Sequence, residues 1–167
     1  MILTTSEFVV AMQNEVRILL HLAGKINRAE LDYRPTPLQR STLELVQYLS
    51  MMGPELVRST LAGAFDADAW TAAEHAAASH EFDDAVATIA LQSDVYGTLL
   101  ANVTNEELRT EMELFGDAAS RGSFLVNLVL GSCIAYRMQL FLYLKSCGRA
   151  ELGSSNLWYG VDAPAIA

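Results

Sequence analysis

The chain has 167 residues, of which 51% are hydrophobic and 19% charged, with a mean hydropathy of +0.22. About 150 residues make a typical domain, so one domain spanning 1–167 is expected, and so apolar a composition excludes a disordered chain. Eleven basic and 20 acidic side chains give a net charge of −9 with no basic block, which disfavours nucleic acid or an anionic membrane as a partner.

The opening MILTTSEFVV has neither a basic n-region nor a small-residue cleavage site, and the expected location is the cytoplasm. From there Met12, Val16, Leu19, Ala23 and Ile26 recur at alternating intervals of four and three, which predicts a first helix over about 5–29. Pro35 and Pro37 in DYRPTP then force a turn or an extended connection. Thr42, Leu45, Leu49, Met52 and Leu56 predict a second helix around 38–59, with a local kink near Pro54. The weakly periodic stretch that follows reads as a structured crossover. In it Thr71 and Glu74 match a capping box, and Ser79 is placed to cap the segment behind it.

Phe82, Val86, Ile89, Ser93, Tyr96 and Leu100 mark a third long helix, about 80–102. The Thr104–Glu107 pair can open a short helix, although MELF at 112–115 is equally compatible with a strand. Beyond Gly122, the seam Leu125, Leu128, Ser132, Ala135, Gln139 and Leu142 defines a fourth long helix that ends by Gly148. This last run is the strongest membrane suspect, but Asn127, Arg137 and Gln139 interrupt it, so no membrane span is expected. Leu157, Trp158, Tyr159 and Val161 in the tail should pack back on the bundle or on a second subunit. Four such stripes can bury one another without a sheet: the expected class is all-α, a four-helix bundle with a long middle crossover and a C-terminal tail packed upon it.

Chemistry is sparser. Cys133 and Cys147 supply no paired-cysteine metal signature and read as reduced thiols. His21, His75 and His80 are the only imidazoles. The spacing of His75 and His80 suits one helix face poorly, which leaves a metal-dependent transferase or hydrolase built on these histidines and nearby carboxylates as the alternative reading. No serine sits in a nucleophile elbow, and no Glu-x-x-His pair exists for a two-metal bundle site. The polar residues inside the apolar helices are more informative. Ser132, Tyr136 and Gln139 share one face of the last helix, and Tyr48 lies one turn beyond Glu44 on the second. Packed together, Tyr48, Ser132 and Tyr136 would line a small polar site with Arg137 nearby, paired to Glu44. The competing reading is a hydrogen-bond network that only fixes helix register.

LELVQYL at 43–49, AYRMQLFLYLKSCG at 135–148 and the helix order with its long crossover resemble the DinB/YfiT-like superfamily over nearly the whole chain. The resemblance implies a four-helix bundle that commonly dimerises and a divalent metal held by three histidines. Those ligand positions correspond to Tyr48, Ser132 and Tyr136, while Arg137 and Gln139 match the rest of the last-helix phrase. With neutral hydroxyls in place of imidazoles, the implied protein keeps the scaffold but takes no metal or other cofactor. The resulting expectation is a homodimeric binding or structural protein whose pocket candidates are Tyr48, Ser132, Tyr136, Gln139, Arg137 and Glu44.

Overall fold

A computed structural model describes residues 3–163. The helices are α1 (Thr5–Ala23), α2 (Thr42–Ala62), α3 (Ala67–Ala78), α4 (Phe82–Leu100), α5 (Arg121–Ser146) and the short α6 (Ser154–Tyr159). A small antiparallel hairpin, β1 (Glu111–Leu114) with β2 (Asp117–Ser120), precedes α5. The bundle class holds, and the hairpin is an addition to it: MELF takes the extended alternative.

Local chemistry sets the helix ends. Thr4 and Glu7 close a capping box on α1, and Ser41 and Glu44 close another on α2, each satisfying orphan N–H groups reciprocally. Helix α1 ends at Ala23, six residues short of the expected 29, with Gly24 as its C-cap, and a single 3-10 turn follows at Arg28–Glu30. Asp66 caps α3, whereas Thr71 lies inside that helix with its hydroxyl donating to the Ala67 carbonyl, and Ser79 ends α3 instead of starting α4. The Thr104–Glu107 box does form, over one 3-10 turn.

The crossover makes α2 and α4 run parallel. Gln47 donates to the His80 carbonyl, Gln92 reaches Leu49 and Ser50, and Gly53 lies against Tyr96. Helix α1 is antiparallel to α4, with Thr5 bonded to Asn105, Gln13 to Ser93 and Arg28 to Asp83. Helix α5 runs back against α2, placing Tyr136 beside Tyr48 and the Tyr143 hydroxyl on the Arg40 carbonyl. Phe8, Met12, Leu45, Val46, Met52, Ile89, Leu125, Val129 and Leu140 fill the centre.

At Pro54 the chain departs from a regular helix. Proline has no N–H to offer the Ser50 carbonyl one turn back. The Gln92 side-chain amide fills the gap from α4, donating to Ser50 at 2.8 Å and to Leu49 at 2.9 Å. Its own carbonyl accepts from the Tyr96 hydroxyl at 3.4 Å. That hydroxyl occupies the space where a Cβ of residue 53 would sit, which is why Gly53 precedes the proline.

The expected α5 seam is displaced. Leu125–Leu130 is a π-helical turn, and such a turn takes in an extra residue and rotates everything beyond it. Buried positions therefore run Leu125, Val129, Arg137, Leu140, Phe141 and Leu144, while Ala135 and Leu142 face outward. The rotation carries Arg137 away from Glu44 and into the bundle. There its Nε donates to Glu15 at 2.7 Å and its guanidinium to the Leu157 carbonyl of the tail. The tail packs on the bundle as expected through Leu152, Asn156 and Leu157, but Trp158, Tyr159 and Val161 stay exposed.

Gln92→Leu leaves the buried Ser50 carbonyl without a donor and takes a second bond from Leu49, and is expected to destabilise the protein by about 1–3 kcal/mol in urea unfolding. Placing it in a Pro54→Ala chain, where the restored N–H serves Ser50, should cut that cost by about 1 kcal/mol. Equal costs in the two backgrounds would show that Gln92 does not act through the proline gap.

Candidate functional site

The structure splits the six expected pocket residues. Tyr48 and Tyr136 come together, ring centroids 5.1 Å apart in an edge-to-face contact. Ser132 is half-buried one turn before Tyr136 and is not part of the pocket wall beside Tyr48. Gln139 donates to the Tyr143 hydroxyl at 2.7 Å, which ties it into the α2–α5 seam. Glu44 caps α2 and pairs with Arg34 at 3.1 Å, so its expected partner Arg137 is replaced by an arginine on the preceding loop. The Ser41 backbone bond, more than Arg34, holds the Glu44 carboxyl below its ordinary value. Arg137 belongs to Glu15.

Around the tyrosine pair the fold assembles groups that helical spacing alone does not single out. Arg40, just before α2, lays its guanidinium 3.7 Å from the centre of the Tyr48 ring and reaches Glu74 of α3 at 3.4 Å. Trp70, also on α3, meets Tyr48 at 6.3 Å between centroids; Phe65 meets Trp70 at 5.5 Å and Phe115 at 5.0 Å. Phe115 sits at the hairpin tip with φ 57°, followed by Gly116 with φ 84°. Both values are left-handed, as a type I′ turn requires, and the first is strained for a phenylalanine. The result is a file of aromatic rings from the α2–α5 interface to the surface. Beside it Arg40, Glu44, Gln47, Tyr48, Glu74 and the small Ala77 and Ala78 enclose about 160 Å³. The sequence carried one hint of this: the AAEHAAA run of α3 provides little bulk opposite α2.

Burial, then the neighbouring Tyr136, pushes the Tyr48 hydroxyl well above the ordinary tyrosine value, and Arg40 only partly offsets this. It is therefore a neutral hydrogen-bonding group at physiological pH. The donor set Tyr48, Ser132 and Tyr136 does not fit a zinc or nickel ion, because such a site needs deprotonated or imidazole donors and burial here opposes phenolate formation. The histidines do not replace it. His21 contacts Asn156 at 3.0 Å near the end of α1, His75 is exposed on α3, and His80 sits at the α3–α4 junction. Among the described residues, no three His, Cys, Asp or Glu side chains are grouped to hold a metal. Burial, with Glu15 next, pushes the Cys133 thiol up to about 12, which removes it as a thiolate nucleophile.

No protein-family model and no curated protein matches this chain. Among solved structures it is similar to a DinB-like protein of Bacillus subtilis, YjoA, with a TM-score of 0.66 and 20% identity, over 87% of this chain and 94% of that one. The chain thus has a DinB-like, all-α helical fold. Likeness at this identity establishes the fold and leaves activity to the chemistry of the residues.

The raised Tyr48 value has a signed consequence. The folded protein keeps this proton while the unfolded chain releases it near pH 10, so stability is full below about pH 10 and falls as pH rises beyond it. Tyr48→Phe should make the fall in urea midpoint between about pH 9 and pH 11 shallower; an unchanged slope would mean that Tyr48 titrates as it does in the unfolded chain.

Proposed function

We propose that this DinB-like protein is a cytoplasmic small-molecule binding protein that works as a homodimer, with its ligand held beside Tyr48 and no metal-centred step. The observation that carries the reading is the Arg40–Tyr48–Glu74 arrangement. A guanidinium, a neutral phenol and carboxylates converge on a cavity of about 160 Å³. Opposite charges with a neutral donor between them suit a small polar molecule bearing both donors and acceptors. The alternative reading, a metal-dependent transferase or hydrolase, lacks a donor set of the right chemistry among the described residues.

Dimerisation is supported by α5. By length and composition it is apolar enough to cross a membrane, yet only 22% of its most apolar stretch is buried within the chain. Exposed Leu142 on this helix and Trp158 and Tyr159 on the tail add apolar surface that a second copy would cover. Light scattering at micromolar concentration should return twice the 18.2 kDa chain mass. A monomer would remove the dimer from the proposal.

Ligand binding is tested with Trp70, which becomes the sole tryptophan in a Trp158→Phe chain. Polar metabolite fractions should change its emission saturably, and Arg40→Gln should weaken the response about tenfold or more, in keeping with loss of a charged hydrogen-bond donor. Elemental mass spectrometry after incubation with zinc, nickel or manganese should find far less than one metal per chain. Stoichiometric metal that is lost on replacing the histidines would favour the enzyme.

A further inference from the structure

The charges of the Tyr48 pocket are paired unevenly. Glu44 is spent on the fold: one carboxylate oxygen accepts from Arg34 at 3.1 Å and the other from the Ser41 N–H at 2.7 Å. The Gln47 amide nitrogen is likewise committed to the Ala78 and His80 carbonyls. Arg40 and Glu74 differ from both. They meet through one Nη2–Oε1 contact of 3.4 Å, with side chains 38% and 44% exposed, and an ion pair so long and so exposed adds little stability. The contact engages one N–H of a guanidinium that carries five, and one of the two Glu74 carboxylate oxygens.

Tyr48 sets how the arginine is presented. At 3.7 Å from the ring centre, the guanidinium is stacked on the phenol by its face, which leaves its N–H edge for a carboxylate held by two parallel bonds. A cation and an anion are thus offered side by side, and the methyl groups of Ala77 and Ala78 leave room for a short apolar group. The cavity of about 160 Å³ falls below the roughly 300–1,000 Å³ of drug-sized sites, so the molecule it takes is small.

A ligand with one charge satisfies one member of the Arg40–Glu74 pair and is repelled by the other. A ligand with both charges satisfies both, and because the two protein groups touch, its own charges must lie close together. We propose, resting on the binding role given above to the Tyr48 pocket, that its ligand is a small aliphatic α-amino acid in zwitterionic form, with the carboxylate on Arg40, the ammonium on Glu74 and the side chain against Ala77 and Ala78. An α-amino acid carries both charges on one carbon, whereas its ω-amino isomer carries them at opposite ends of a chain.

The test is calorimetric titration of the full chain with L-alanine, L-2-aminobutanoate and L-valine, and with three relatives of the second: 4-aminobutanoate, L-2-hydroxybutanoate and L-2-aminobutanamide. The α-amino acids should bind saturably, L-2-aminobutanoate about tenfold or more tighter than each relative, as one charged hydrogen bond provides. Glu74→Gln should lower L-2-aminobutanoate to the affinity of the hydroxy acid, and Arg40→Gln to that of the amide, with helical circular dichroism unchanged in both. Ala78→Leu, at an exposed position, narrows the cavity and should abolish binding. Absence of saturable binding by all three α-amino acids would overturn the proposal. So would equal affinity for 4-aminobutanoate, or a Glu74→Gln chain that still prefers the amine to the hydroxyl. If polar metabolite fractions still change Trp70 emission where the amino acids fail, the α-amino acid assignment falls and the Tyr48 pocket stands; if both fail, the pocket falls with it.

Discussion

The bundle turns on a missing hydrogen. Pro54 deprives α2 of one N–H in the most buried part of the protein, where an unpaired carbonyl costs about 1–3 kcal/mol. The repair comes from α4, whose Gln92 amide spans both Leu49 and Ser50. A backbone defect in one helix thus becomes a polar clamp between two. The clamp favours one relative height of α2 and α4, because the amide meets both carbonyls only where Gln92 faces Leu49 and Ser50. Gly53 and Tyr96 complete the fit by letting the helices approach where a side chain would hold them apart. With the α2–α4 register set, α3 must span the length of the bundle to connect two parallel helices, and its small residues bring it close to the start of α2.

That closeness is what creates the tyrosine site. Arg40 and Tyr48 belong to the entrance of α2, Glu74 and Trp70 to the crossover, and Tyr136 to α5. They come from three separate stretches of the chain, around residues 40–48, 70–74 and 136. The aromatic file extends through Phe65 to Phe115, a phenylalanine held in a backbone conformation better suited to asparagine or glycine. Contact with Phe65 offsets some of that strain, which gives the hairpin a packing role on the α2–α3 corner.

Much of the architecture was legible in the residues. The stripes of α1, α2 and α4 place their helices, the Thr104–Glu107 box forms, and Tyr48 meets Tyr136 as the resemblance implied. The failures have definite causes. Gly24 ends α1 while apolar spacing continues to Ile26, because a stripe records which residues face inward and not where the backbone stops. The capping signature at Thr71 and Glu74 loses to Asp66, which has the same capping chemistry five residues earlier and starts the helix first. In α5 the period of 3.6 was extended across a turn that does not obey it. Nothing in LVNLVL announces a π-turn, and Ala135, Arg137 and Leu142 beyond it are consequently assigned to the wrong face.

Arg137 shows why that single turn matters for function. On a regular helix its guanidinium would be a neighbour of Glu44 and a natural member of the tyrosine pocket. Rotated inward, it pairs with Glu15 at positions where the two side chains are 3% and 11% exposed. Burial raises the Glu15 carboxyl despite the attraction of Arg137, whose charge and hydrogen bond act in the opposite direction. Such a pair adds little net stability over an apolar equivalent, but losing one partner strands a buried charge at a cost of about 3–5 kcal/mol. Its value lies in position: the same guanidinium also holds the Leu157 carbonyl, so one arginine joins α1, α5 and the tail helix. The π-turn therefore has two structural consequences at once. It removes a cation from the tyrosine pocket, where Arg40, just before α2, fills that role, and it turns Arg137 onto Glu15 and the tail helix.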